Sequence, residues 1–132
     1  SFDLRRYAKA REYYSVALEL AEEAGNKRNI LFQHCALART CAVTGQLDAA
    51  KAHLQAAQEL AGKSPTAITD GVLECARTYY YLESGEVERA AEHLKNAKSY
   101  AQESRIVAGS RLGQEIIRTE KRLNIVRVTG VP

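Results

Sequence analysis

Residues 45–61 read GQLDAAKAHLQAAQELA, and the same skeleton recurs forty residues to either side. Downstream it returns as GEVERAAEHLKNAKSYA at 85–101; upstream, with Arg5 in place of the glycine, it is RRYAKAREYYSVALELA at 5–21. The matched columns are Tyr7/Leu47/Val87, Ala10/Ala50/Ala90, Tyr14/Leu54/Leu94, Ala17/Ala57/Ala97, Leu20/Leu60/Tyr100 and Ala21/Ala61/Ala101. Within each copy the apolar residues fall three and four apart, which places them on one face of a helix. A fixed period of this length signals stacked repeats, because one helical hairpin cannot bury its stripe alone and successive hairpins can. Alanine at two columns lets helices approach closely, while Tyr14, Leu54 and Leu94 fill the space between. Enlarging Ala57 is expected to cost about 1–3 kcal/mol by overpacking.

Working outward, a first helix is expected from about Leu4 to Ala24, ending at Gly25, where a left-handed residue suits a helix C-terminus. A second runs from about Lys27 to Thr44, with Ile30, Leu31, His34, Leu37, Ala38 and Cys41 inward, and stops at Gly45. Asp48 favours the start of a third, which continues through Leu54 and Leu60 to Gly62. Ser64 and Pro65 read as N-cap and first residue of a fourth helix reaching about Ser84 and closed by Gly85. Glu86 and Glu88 open a fifth, which fades near Glu103 or Ser104. A last helix is expected from Ile106 to Leu123, weakened at Gly109 and Gly113 by about 1 kcal/mol each. Ile125 stands where the period calls for a turn glycine. The end, IVRVTGVP, therefore reads as a linker, a disordered end or an edge strand.

The expected fold is all-α: about six antiparallel helices stacked as a right-handed α-α superhelix. Residues 1–124 form one repeat domain and 125–132 a tail or linker. The sequence has no Met and opens inside a helical pattern, so it is expected to be a segment of a larger protein.

A length of 132 residues, 45% hydrophobic and 27% charged, fits one globular domain. The formal charge of +3 is mild and interspersed, and does not argue for nucleic acid or a membrane surface. No stretch approaches the roughly 18 apolar residues of a membrane span, and SFDLRRYAKA does not resemble a signal peptide. A cytoplasmic location is expected. Cys35, Cys41 and Cys75 lack CxxC spacing and suit a reducing compartment. Cys35 and Cys75 are repeat-equivalent, but adjacent helices lie roughly 8–10 Å apart and a disulfide needs Cα atoms within about 7 Å. His34 points about 100° from Cys35 around the helix, so no metal site is expected. His53 and His93 read as products of duplication. No Ser/His/Asp order, phosphate loop or paired carboxylates can be recognised, so neither enzymatic activity nor a cofactor is expected.

The stretch LARTCAVTGQLDAAKAHLQAAQEL, 37–60, resembles a tetratricopeptide repeat. Leu37-Ala38 stand for its Leu-Gly pair, Cys41 for the first-helix aromatic, Gly45 for the turn and Leu47 for the aromatic after it, followed by Ala50, Leu54 and Ala57. Such repeats are commonly about 34 residues long. The 40-residue period here is similar to the longer-helix variants of the spindle-orientation adaptors, kinesin light chain, Rap phosphatases and bacterial maltose-type transcription activators. The likeness covers about residues 4–123, departing from the pattern at Arg5, Ile125 and Arg77-Thr78.

This resemblance implies partner binding on a concave face lined by the first helix of each repeat. On this chain that face comprises Phe32, Cys35, Arg39 and Ala42, then Val72, Cys75, Tyr79 and Leu82, then Glu115, Thr119 and Arg122. Such a groove would hold a protein or peptide segment with apolar anchors, Arg39 and Arg122 meeting a carboxylate or phosphate. The Lys and Asn pattern of chaperone-binding members is missing at Arg39 and Tyr79, so binding of chaperone C-termini is not expected. Tyr79, Tyr80 and Tyr81 should point to groove, core and an interhelical seam between them.

The leading expectation is a scaffold or adaptor module. One alternative is the effector-sensing segment of a signalling ATPase or transcription regulator. Another is an anion or nucleic-acid site on the last helix, where Arg111, Arg118, Lys121 and Arg122 gather, flanked by Arg105 and Arg127. A homodimer through a first-helix stripe of Tyr7, Tyr14 and Leu18 is also expected as an option, because the partner helix of that stripe is absent.

Overall fold

The two turn glycines of the repeat, and Gly25 before them, each close a helix in the same way. In the computed structural model, which describes residues 2–105 and 109–131, Gly45 has φ +80° and Gly85 φ +81°. Gly45 N–H donates to Ala42 O at 3.0 Å and Gln46 N–H to Cys41 O at 2.8 Å; Gly85 and Glu86 repeat the pattern onto Leu82 and Tyr81 at 3.1 and 2.9 Å. This paired 5→2 and 6→1 bonding satisfies carbonyls that a helix end otherwise leaves bare, and it needs a residue without Cβ strain in the left-handed region. Gly25 and Asn26 make the same bonds onto Glu22 and Ala21.

These stops delimit six helices, with no strand among the described residues: α1 Phe2–Ala24, α2 Lys27–Val43, α3 Leu47–Lys63, α4 Ala67–Glu83, α5 Val87–Glu103 and α6 Arg111–Thr129. None is long and apolar enough to cross a membrane.

Two boundaries differ from the sequence reading. Ser64 is the C-cap of α3 rather than the N-cap of α4; Thr66, in extended backbone, caps α4 instead, its hydroxyl accepting from Thr69 N–H at 3.1 Å. A residue before proline is steered away from the helical region, and only beyond Pro65 can the side chain reach the free amides of the first turn. Helix α6 starts at Arg111 under a Ser110 cap that accepts from Gly113 N–H at 3.1 Å. Of its expected start, residues 106–108 lie outside the described residues. Gly109 precedes the helix and Gly113 sits in its first turn, so neither interrupts its middle.

The end of α6 also corrects the expected tail. The helix runs through Ile125 to Thr129 and is capped by left-handed Gly130, so residues 125–129 are neither linker nor edge strand. The reason is burial. Val126, with Leu123, packs into a cluster with Leu82, Ala90 and Leu94, and that burial overrides the β preference of an Ile/Val-rich segment.

Packing follows a simple order. Each helix packs on the next; in addition α2 packs on α4 and α4 on α6, whereas α1 packs on α2 alone among the described residues. The alanine columns sit where helices meet: Ala50, Ala57, Ala90 and Ala97 are fully buried, while Ala10 and Ala17 on α1 are only half-buried. Helix α4, with neighbours on nearly every side, buries Val72, Leu73, Cys75, Ala76, Tyr79 and Leu82 together with polar Thr69, Glu74 and Thr78. Its approach to α6 depends on Gly71, where an added Cβ would lie 2.7 and 2.8 Å from the two δ-methyls of Leu112.

A cleft between the first and last helices

The α2–α4–α6 packing decides which of the expected groove residues are open. Phe32, Cys35, Val72, Cys75, Tyr79, Leu82 and Thr119 are all buried, as is Ala42. Ala42, Cys75, Leu82 and Thr119 are core, whereas Phe32, Cys35 and Val72, though largely covered, line an opening together with Arg39 and Glu115. Arg39, Glu115 and Arg122 remain partly accessible.

A further opening lies between α1 and α6. A cleft of about 620 Å³ has Asp3, Arg6, Tyr7, Ala10 and Tyr14 on the α1 wall and Gln114, Ile117, Arg118, Lys121, Arg122 and Ile125 on the α6 wall. Arg39, Thr40 and Val43 of α2 and Tyr79 of α4 form its floor. A second opening of about 450 Å³ is lined by Tyr13, Tyr14 and Arg111 and by Phe32, Cys35, Arg39, Val72 and Glu115 of the expected groove, and Tyr14 and Arg39 line both openings.

Arg39 is the junction of the site. One guanidinium nitrogen donates to Glu115 at 3.0 Å and the other to the Tyr14 hydroxyl at 2.8 Å, tying α2 to α6 and to α1. Glu115 also accepts from Arg118 at 2.7 Å, so one carboxylate balances two guanidiniums. Arg122 donates to Glu83 at 2.8 Å, yet its Nε is buried without an acceptor. Lys121 has no carboxylate partner among the described residues. Positive charge therefore outweighs negative on the walls, above a floor and flanks carrying Tyr7, Tyr14, Val43, Tyr79, Ile117 and Ile125. Desolvation raises the Tyr79 phenol to about 12, which keeps it neutral at the base of the cleft.

The basic set of the last helix is accordingly divided. Arg118, Lys121 and Arg122 line the cleft; Arg111 instead stacks over the Phe32 ring at 4.4 Å. The three consecutive tyrosines diverge as expected of a helix: Tyr79 is buried under the cleft and Tyr80 packs against the core. Tyr81 fills the α4–α5 seam, stacked on His93 with ring centroids 5.0 Å apart and with Arg89 over it at 4.2 Å. On α1 the large exposed apolar residues among the described side chains are Leu4, Tyr13, Val16 and Leu20, whereas the expected stripe of Tyr7, Tyr14 and Leu18 is half-buried because it is the side that meets α2 and the cleft.

Two further polar clusters cross between helices. His93 Nδ1–H donates to Glu74 at 2.5 Å, with Arg77 at 2.8 Å and Asn96 at 3.4 Å on the same carboxylate. Burial alone would raise the pKa of Glu74; the hydrogen bond and charge of His93, the charge of Arg77 and the Asn96 amide together hold it below the ordinary carboxylate value. Forty residues earlier, His34 on α2 and His53 on α3 face each other through their Nδ1 atoms at 3.0 Å. Cys35, Cys41 and Cys75 are free, buried thiols; burial lifts Cys75 to about 12 and Cys35 higher still.

Sequence reasoning found Arg39, Glu115, Arg122 and the basic set, but missed Tyr14, Ile117 and Ile125 as walls of one cavity. The repeat carried no sign that α1 and α6 face each other. No protein-family model, curated protein or solved structure matches this chain.

Proposed function

We propose that this chain is a tetratricopeptide-like repeat module that holds a partner protein segment, with the cleft between α1 and α6 as the seat. Support for the repeat reading comes from the glycine turns at 45 and 85 and from the order in which α2, α4 and α6 pack. The observation that carries the function is the composition of the cleft: Arg6, Arg39, Arg118, Lys121 and Arg122 line it with Asp3, and with Glu115 on Arg39 and Arg118 and Glu83 on Arg122 the cations still exceed the carboxylates, over aromatic and aliphatic side chains. Such a surface suits a peptide bearing apolar anchors and at least one acidic group, since guanidinium–carboxylate bonds fix orientation while the anchors displace water. In this reading the module is a non-enzymatic adaptor.

The test is selection of binders from a random peptide library, followed by fluorescence anisotropy with wild type, Lys121→Glu, and a Lys51→Glu control on the exposed face of α3. The expected binders combine Asp or Glu with aromatic or aliphatic residues, and lose on the order of tenfold or more in affinity with Lys121→Glu alone. Equal binding by both variants would reject the cleft. An affinity that disappears with moderate salt whatever the apolar content would favour an anion or nucleic-acid site on α6.

A further inference from the structure

Positions 34 and 53 are nineteen residues apart, as are their repeat equivalents 74 and 93, and both pairs bridge a helix hairpin from its inner side. In the second hairpin the pair is Glu74 and His93, and its carboxylate is fully engaged by His93, Arg77 and Asn96. In the first hairpin the same two places hold imidazoles, His34 on α2 and His53 on α3, with Nδ1 atoms 3.0 Å apart. The ring centroids are 5.2 Å apart and the planes are inclined by 40°. One ring must then donate its Nδ1–H to the lone pair of the other.

The spacing of the two nitrogens also fits a chelate. Two imidazole nitrogens bound at 2.0–2.1 Å to one metal lie about 2.9 Å apart at a right angle and about 3.4 Å apart at the tetrahedral angle. The observed 3.0 Å falls inside that range, nearer the right angle. We propose that His34 and His53 form a two-imidazole site for a late first-row divalent metal ion, clasping α2 to α3, with water in the remaining positions.

On binding, the ring that donates its Nδ1–H passes to the Nε2–H tautomer, so both Nδ1 atoms present lone pairs. Both imidazoles stay neutral and no proton is released. For both lone pairs to meet on one ion at a right angle, each must swing about 45° off the Nδ1–Nδ1 axis by side-chain rotation. The charged groups facing the pair come from α1: Glu22 beside His34 favours a cation there, whereas Arg11 beside His53 opposes it. Burial lowers the pKa of both rings, most directly through lost hydration and for His53 also through His34, so both are available as neutral ligands at neutral pH. A right-angle geometry and two nitrogen donors favour Ni2+ and Cu2+ over Zn2+.

This assignment is independent of the cleft. It is tested by urea denaturation with and without Ni2+, on wild type, His34→Gln, His53→Gln and a His93→Gln control. Wild type and His93→Gln should gain stability with rising Ni2+, and either single variant at the pair should weaken Ni2+ binding on the order of a hundredfold, as expected when one arm of a two-point attachment is removed. Electron paramagnetic resonance of the wild type with one equivalent of Cu2+ gives a readout independent of variant folding, and should show two coordinated imidazole nitrogens. A wild type whose midpoint ignores Ni2+, an equal shift in both pair variants, or a spectrum with fewer than two imidazole nitrogens would overturn the proposal, leaving an N–H···N bond that only joins the helices.

Discussion

Replacing Gly71 by alanine separates two effects that usually travel together. A glycine inside a helix costs about 1 kcal/mol relative to alanine, so by propensity alone Gly71→Ala should stabilise α4. The new Cβ, however, would stand 2.7 and 2.8 Å from the δ-methyls of Leu112, against about 3.5–4.0 Å for an ordinary carbon contact. Leu112 would have to withdraw by about 0.7–1.3 Å, and it is fully buried in the cluster that includes Phe32, Val72, Cys75 and Leu73. Overpacking of this kind costs about 1–3 kcal/mol, giving a net destabilisation of about 0–2 kcal/mol.

Gly62, in the last turn of α3, supplies the reference. Nothing lies within 4 Å of its added Cβ, so Gly62→Ala should stabilise by up to about 1 kcal/mol. The difference between the two substitutions, about 1–3 kcal/mol, is then the steric part. For a chain of this size 1 kcal/mol moves the thermal midpoint by about 3–5 °C, within reach of circular dichroism melts. In a Leu112→Ala background the clash is gone and Gly71→Ala should become stabilising. If Gly71→Ala raises the midpoint of the wild type as much as Gly62→Ala does, α4 and α6 do not meet as closely as described and the reasoning fails.

Glu115→Gln should cost about 1–3 kcal/mol in urea denaturation, because one carboxylate serves both Arg39 and Arg118 at side-chain exposures of 13–15% for the Arg39 pair; Glu120→Gln, from the half-exposed Lys98–Glu120 pair, should cost less than about 1 kcal/mol. Val126→Ala should destabilise by about 2 kcal/mol and Val128→Ala, 86% exposed, by less than about 0.5 kcal/mol, a contrast that a disordered or linker-like end could not produce. Glu74 links stability to pH: a carboxylate held below its ordinary value contributes fully above its unfolded value near 4.5, and the contribution is lost as pH falls through the lower folded value. The acid limb of a pH–stability curve measured by urea denaturation should therefore be shallower in Glu74→Gln than in wild type, and identical limbs would remove Glu74 from that account.

Legibility followed the range of the interactions. Helix periodicity, the glycine stops and the alanine columns are local or repeat-borne, so they could be read from residues 5–21, 45–61 and 85–101 without knowing which helix touches which. The starts of α4 and α6 were missed by a few residues, because several nearby hydroxyls could serve as caps and backbone context chose Thr66 and Ser110. The ion pairs of Arg39 were less legible: Tyr14, Arg39 and Glu115 lie on three helices, and nothing in their spacing joins them.

The sequence by itself determined six helical segments, the turns that fold them into hairpins, and the small residues at which those hairpins can approach. Tertiary structure alone decided which faces closed. Gly71 against Leu112 brings α6 onto α4 and narrows the expected groove to an opening around Phe32, Cys35, Arg39, Val72 and Glu115; Val126 carries α6 past the expected stop; and α1, which among the described residues packs on no helix but α2, leaves the cleft between itself and α6. The physical reason is that helix formation and capping are settled by neighbours within a few residues. Burial and charge pairing are settled by residues far apart in the chain, whose meeting no local pattern encodes.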